Sequence, residues 1–179
     1  MDEIVKTSTV EQPALPAGVQ RVAQELRRLG HPHAPVMLDD AARTAQQAAD
    51  ALGVGVGQIA KSIIFRRKDD DQAVLVITSG DRRVDEKKVA ALVGKLGRAD
   101  AEFVRSRTGF AIGGVSPVGH VVPPVTLIDR ELFRFDEIWA AAGHPHGVFR
   151  LRPQDLVTLT GAPVADVDQP AVVAPASPP

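Results

Sequence analysis

The run Ile59-Ala60-Lys61-Ser62-Ile63-Ile64-Phe65 holds a single cation among mostly apolar residues. In a strand, alternate side chains share a face, so Lys61 falls on the same side as Ile63 and Phe65. That face reads as the wall of a core or a pocket, where lysine is rarely buried without a partner. An unpaired ammonium there either loses its proton or draws in an anion, supplied by a protein carboxylate or by a ligand. Farther along comes Gly113-Gly114-Val115-Ser116-Pro117. Glycines at such a place permit a tight turn, or they let bare backbone N–H groups approach a ligand carbonyl or phosphate. The local signal leaves both readings open.

Helices and strands must position these residues. Val19, Val22, Leu26 and Leu29 have helical spacing, with Gly30 as a stop. Thr44 and Gln47 form a capping-box pattern before a helix that ends at Gly53. The Lys61 strand runs into Arg66-Arg67-Lys68 and the turn Asp69-Asp70-Asp71, and Ala73 to Thr78 is its expected hairpin partner. Asp85 suits the cap of a helix burying Val89, Leu92, Val93 and Leu96. A short helix over Asp100 to Arg107 precedes strands at Phe110–Ile112, Val125–Ile128, Glu137–Ala141 and Val148–Leu151. Pro153 opens a last helix, which stops at Gly161. Adjacent strands without regular βα alternation predict an α+β fold with a curved, mixed or mostly antiparallel sheet.

The 179 residues suit one domain, expected from Gly18 to Val167, with a tail over 1–17 and a Pro/Ala-rich tail over 168–179. A net charge of −1 disfavours binding to long duplexes by bulk electrostatics, though not a local basic patch. Absence of cysteine removes disulfide and thiolate chemistry. The acidic, polar start lacks a signal-peptide layout, and no apolar stretch approaches the roughly 20 residues of a membrane span. Cytoplasm is the expected compartment. No phosphate-binding glycine loop, zinc-protease helix or nucleophile elbow is present. His31-Pro32-His33 and His144-Pro145-His146 each bring two imidazoles, and without a third ligand they read as loop histidines. Arg66, Arg67, Arg82 and Arg83 are candidates for an acidic polymer, although charge runs are more often solvated faces.

Several segments occur together in one order: Thr44 to Ala49, Gly57 to Phe65, Arg107 to Phe110, Gly113 to Gly119, Ile128-Asp129 and Ala141-Ala142-Gly143. On these the chain resembles the YbaK/EbsC family, free-standing relatives of the editing domain inserted in bacterial prolyl-tRNA synthetases. The resemblance spans roughly Val19 to Val167. It implies a sheet closing into a barrel-like shape flanked by helices. The implied activity is trans-editing: hydrolysis of the ester joining a wrong amino acid to the 3′-terminal adenosine of a tRNA. Lys61 matches the family's functional lysine and Ser62 its small hydroxyl neighbour. Gly113, Gly114, Val115, Ser116 and Pro117 match the loop against which the aminoacyl group sits, with Gly114 beside Lys61 in the catalytic set. Gly143 matches a glycine at the pocket edge. Ala141-Ala142 stands where better-known members often carry Ser-Gly, a departure that bears on amino-acid specificity.

The implied chemistry suits these residues. Loop N–H groups can stabilise an oxyanion, a contribution of about 3–4 kcal/mol per donor in other enzymes. Lys61 can hold a phosphate or ribose of the tRNA end. No nucleophile and no histidine base stands out, which favours help from the substrate's own ribose hydroxyl. No metal or other cofactor is expected. The expected partner is the acceptor end of aminoacyl-tRNA, with a synthetase as a further one, and no membrane. The mischarged residue should be small: Ala, Ser, Cys or Thr. Two other classes stay open: a non-catalytic tRNA-binding module of the same fold, and a hydrolase of another small aminoacyl ester or amide.

Overall fold

A computed structural model describes residues 13–170. The tails expected over 1–12 and 171–179 lie outside the described residues. Helix α1, Ala17–Arg28, buries Val19, Val22 and Leu26 almost completely. Each such side chain is worth about 1.5–3 kcal/mol against full exposure. Gly30, at φ +75°, turns the chain out of the helix, as its place in the sequence predicts. Strand β1, Val36–Met37, leads to α2, Ala45–Leu52. The Thr44 hydroxyl accepts from Gln47 N–H at 3.1 Å, but the Gln47 carboxamide accepts from Arg43 N–H, so the box closes one residue early.

Strands β2, Ile59–Arg67, and β3, Ala73–Ser79, form the expected antiparallel hairpin. Helix α3, Glu86–Val93, is capped by Asp85, whose carboxylate accepts from the N–H groups of Lys87 and Lys88. Gly94 at φ +103° ends it too soon for the expected apolar face. Leu96 passes into β4, Leu96–Arg98, and Leu92 is left 57% exposed. Helix α4, Ala101–Thr108, β5, Val125–Asp129, β6, Ile138–Ala141, and β7, Gly147–Leu151, follow close to expectation. Helix α5, Pro153–Thr160, and β8, Val164–Ala165, complete the order. The expected strand at Phe110–Ile112 does not form. Positive φ at Gly109 and Gly113 bends the segment into turns, burying Phe110 and exposing Ile112.

The sheet runs β1-β7-β6-β2-β3-β5-β8, with β4 also on β2. The β2–β6, β3–β5 and β5–β8 pairs are parallel and the others antiparallel. The result is α+β and mixed, but the barrel-like closure is not formed, because the end strands β1 and β8 do not pair. Both have only two residues, too short to carry a seam. One face packs Leu75, Ile77, Ile128 and Phe149 against α1 and α5. The other packs Val74, Val76 and Leu127 against Val89 of α3 and Val167. Packing continues past Val167, which corrects the start of the C-terminal tail: Asp168 bridges to Val84, and Gln169 N–H donates to Arg83 O at 2.8 Å.

One feature of the topology positions the site. β6 and β4 share the edge of β2 away from β3, β6 pairing at Ile59 and Ala60 and β4 from Phe65 onward. Between them, Lys61 to Ile64 carry no strand on that edge.

Candidate active site

Lys61 lies opposite Thr78 of β3, on the face shared with Ile63 and Phe65. It is half-buried, and among the described residues its ammonium has no hydrogen bond or ion pair. Burial holds its pKa below the ordinary lysine value and the charge of Arg83 pushes the same way, while Asp81 and Asp129 pull it back up. Those carboxylates are already engaged. Asp81 takes the Arg134 guanidinium at 2.8 Å, and the fully buried Asp129 accepts from the Thr78 hydroxyl at 2.8 Å and from Glu131 N–H at 2.9 Å. Among the described residues neither carboxylate pairs with the Lys61 ammonium.

Lys61 opens on a cavity of about 290 Å3. Lys61, Ser62 and Ile63 form one wall at the unpaired edge of β2, facing Ile112, Gly113 and Val115 of the glycine loop. The start of α2 adds Thr44, Ala45 and Ala48, while Trp139, His144 and Pro145 close the far side. The lining is largely apolar, so an electrostatic interaction inside it is screened less than in water. Ser62 is one of the wall residues, and its buried hydroxyl has no partner among the described residues.

The loop divides into two sets. Gly113 and Val115 reach the cavity; Gly114, Ser116 and Pro117 do not. Gly114 N–H donates to Ala111 O at 3.0 Å, and a Cβ on Gly114 would stand 2.9 Å from the backbone of His144. Its role is to bring two walls together. The Ser116 hydroxyl accepts from Val118 N–H, and its carbonyl accepts from His120 Nε2–H at 2.7 Å. Pro117 lines a separate cleft with His120. Among the described residues the N–H groups of Gly113, Val115 and Ser116 find no acceptor. Gly143 lies off the cavity too: at φ +87° it is pressed against the backbone of Gly18, where it seats α1.

The family model described as "Aminoacyl-tRNA editing domain" matches residues 39–159, which include every cavity wall just described. The chain belongs to the aminoacyl-tRNA editing domain family. It is 36% identical over 114 residues to "Uncharacterized protein YwhH" of Bacillus subtilis, covering 63% of this chain and 72% of that protein. It is 27% identical to the "Putative Cys-tRNA(Pro)/Cys-tRNA(Cys) deacylase EbsC" of Enterococcus faecalis, covering 69% and 76%. A solved structure, "Crystal structure of a putative trans-editing enzyme for prolyl tRNA synthetase", superposes with a TM-score of 0.82 at 43% identity, covering 87% of this chain and 99% of that one.

Within this editing-domain fold the four arginines differ sharply. Arg66 pairs with Asp71 at 2.7 Å and Arg67 with Asp70 at 2.7 Å, both at the far end of the hairpin from Lys61. Arg82 reaches Glu131 at 3.3 Å and lies 3.8 Å from Asp168. Arg83 is the one whose charge is felt at Lys61, and it has no carboxylate partner among the described residues. The histidine pairs stay apart. His31 Nε2–H donates to Arg150 O, whereas His146 sits beside His144 with its Nδ1 on Leu38 O. No group of three His, Cys, Asp or Glu suited to a metal occurs among the described residues. Sequence reasoning missed the walls made by α2, Trp139, His144 and Pro145. The Thr44 cap was a visible signal for where α2 begins, but not for what its first turn faces.

His120 gives the loop a pH dependence. Burial, countered by the Ser116 carbonyl and aided by Arg21, lowers its pKa from 6.5 to about 4. The folded state therefore binds fewer protons than the unfolded state between those values, so stability falls as pH drops through that window. We expect His120→Gln to flatten this slope in thermal midpoints measured from pH 7 to 4; an unchanged slope would place the titration elsewhere.

Proposed function

We propose that the protein is a free-standing aminoacyl-tRNA deacylase acting in the cytoplasm on tRNA mischarged with a small amino acid. The observation that carries this reading is the Lys61 ammonium, unpaired among the described residues, at an apolar cavity beside loop N–H groups that find no acceptor among them. Family membership and the likeness to a trans-editing enzyme support it. An apolar cavity suits a small side chain, and the cation suits the phosphate or ribose of the terminal adenosine.

In the reaction, water attacks the ester carbonyl, and the N–H groups of Gly113 and Val115 receive the developing oxyanion. Collapse breaks the bond to the ribose oxygen, which takes up the proton released by the water. The products are the free amino acid and uncharged tRNA. Lys61 fixes the ribose-phosphate so that the carbonyl meets the loop. A vicinal ribose hydroxyl of the substrate places the water, since no protein base lines the cavity in an obvious position. His144 is the nearest imidazole in the walls, and its Nδ1 already accepts from His146 N–H.

The test is a panel of tRNAs charged with Ala, Ser, Cys, Thr and larger residues, followed by loss of the ester under single-turnover conditions. Small residues should be released fastest. Each added methylene that the cavity rejects should cost about 1–3 kcal/mol, or roughly 10–200-fold in rate. Binding without hydrolysis of any ester would instead establish the non-catalytic module. Equal hydrolysis of free aminoacyl esters would point to a different small substrate.

A further inference from the structure

A second cavity, of about 380 Å3, shares Lys61 with the first. Its floor is Ile63 and Phe65 of β2, and its wall is Arg83 and Val84 from the segment after β3. Glu86 and Gln169 stand at the rim. The wall is held from behind, because Val84 bridges to Asp168 and Arg83 O accepts from Gln169 N–H. The backbone is thus fixed while the Arg83 guanidinium, like the Lys61 ammonium, has no acceptor among the described residues. Arg82 next door is occupied by carboxylates. Two unpaired cations on one cleft repel each other unless an anion lies between them, and after burial the Arg83 charge is the next cause that lowers the Lys61 pKa.

We propose that this cleft seats the nucleotide preceding the terminal adenosine of an acceptor strand, with the phosphate that joins the two between Lys61 and Arg83 and its base on the Ile63–Phe65 face. The inference rests on the aminoacyl-tRNA reading. With the ester in the first cavity, the strand must continue past Lys61, which both cavities share, toward Phe65 about 13 Å farther along β2. Phe65 offers a stacking surface for a base. In tRNA that nucleotide is a cytidine, whose exocyclic amino group donates to carboxylates. Glu86 is the carboxylate at the rim, beside the Gln169 amide.

The experiment measures binding of the uncharged RNA tetranucleotides ACCA and ACUA by calorimetry at several salt concentrations. Arg83→Gln should weaken ACCA about tenfold and lower the salt slope by roughly one unit. The parent should prefer ACCA to ACUA, and Glu86→Ala should erase that preference. An Arg83→Gln protein with parental affinity and salt slope would overturn the phosphate seat, and equal parental binding of the two RNAs would overturn the base assignment. Hydrolysis of mischarged tRNA by the parent is read separately. If Arg83-dependent binding of ACCA persists where no ester is cleaved, the cleft stands and the deacylase reading falls. Cleavage with no dependence on Arg83 in ACCA binding leaves the deacylase and removes the cleft.

Discussion

Lys61→Ala is expected to lower the single-turnover deacylation rate by about a hundredfold or more, the scale on which misplacing a substrate acts. The thermal midpoint should hold or rise. The half-buried ammonium has no carboxylate partner among the described residues, so removing it leaves no uncompensated opposite charge among them. The pH dependence gives the same sign. Burial first, then Arg83, lowers the folded-state pKa below that of an unfolded lysine. In the alkaline window between the two values the folded protein binds fewer protons, so stability rises with pH through it. At neutral pH the full cost of the buried charge is present. Alanine also removes the methylene stem, which packs beside Ile63, so Lys61→Met serves as the companion variant that keeps the packing. Parental rates in both variants would remove Lys61 from the site. A collapsed midpoint in both would show a structural ion pair instead.

Lys61 was legible because a strand has a period: one cation in an apolar run must fall on a known face, and the structure keeps it there. Helix α1 was legible for the same reason, from Val19, Val22, Leu26 and the stop at Gly30. A loop has no period. Nothing in Gly113-Gly114-Val115-Ser116-Pro117 says which residues turn to the cavity, and the division between Gly113/Val115 and the rest is set by His144 and Ala111. Gly143 is explained only by Gly18, far away in the chain. The expected helix face at Leu92 and Leu96 failed because one glycine, Gly94, outweighed the apolar spacing. For the arginines, the partners of Arg66 and Arg67 stood in the adjacent aspartate turn and were readable. Those of Arg82, Glu131 and Asp168, come from strand crossings that no local pattern reports.

The loop gives the second large effect, and the geometry moves its cause. A side chain at Gly114 would not fill the space of the aminoacyl group, because Gly114 is buried against the turn that carries His144. Its Cβ would come 2.9 Å from the N, Cα and C atoms of His144, and backbone cannot swing aside as a flexible side chain can. Gly114→Ala should therefore lower stability by about 1–3 kcal/mol, as overpacking does. It should cut the deacylation rate as well, since the displaced segments carry Gly113 and Val115 on one wall and His144 and Pro145 on the other. Gly113→Ala is the control. A Cβ there meets nothing within 4 Å, so only the strain of φ +91° applies, about 1–2 kcal/mol. The rate loss for Gly114→Ala should exceed that for Gly113→Ala by about tenfold, a misalignment well under an ångström being enough. If Gly114→Ala keeps parental rate and midpoint, the two segments yield freely, and the width of the cavity is set by something other than this contact.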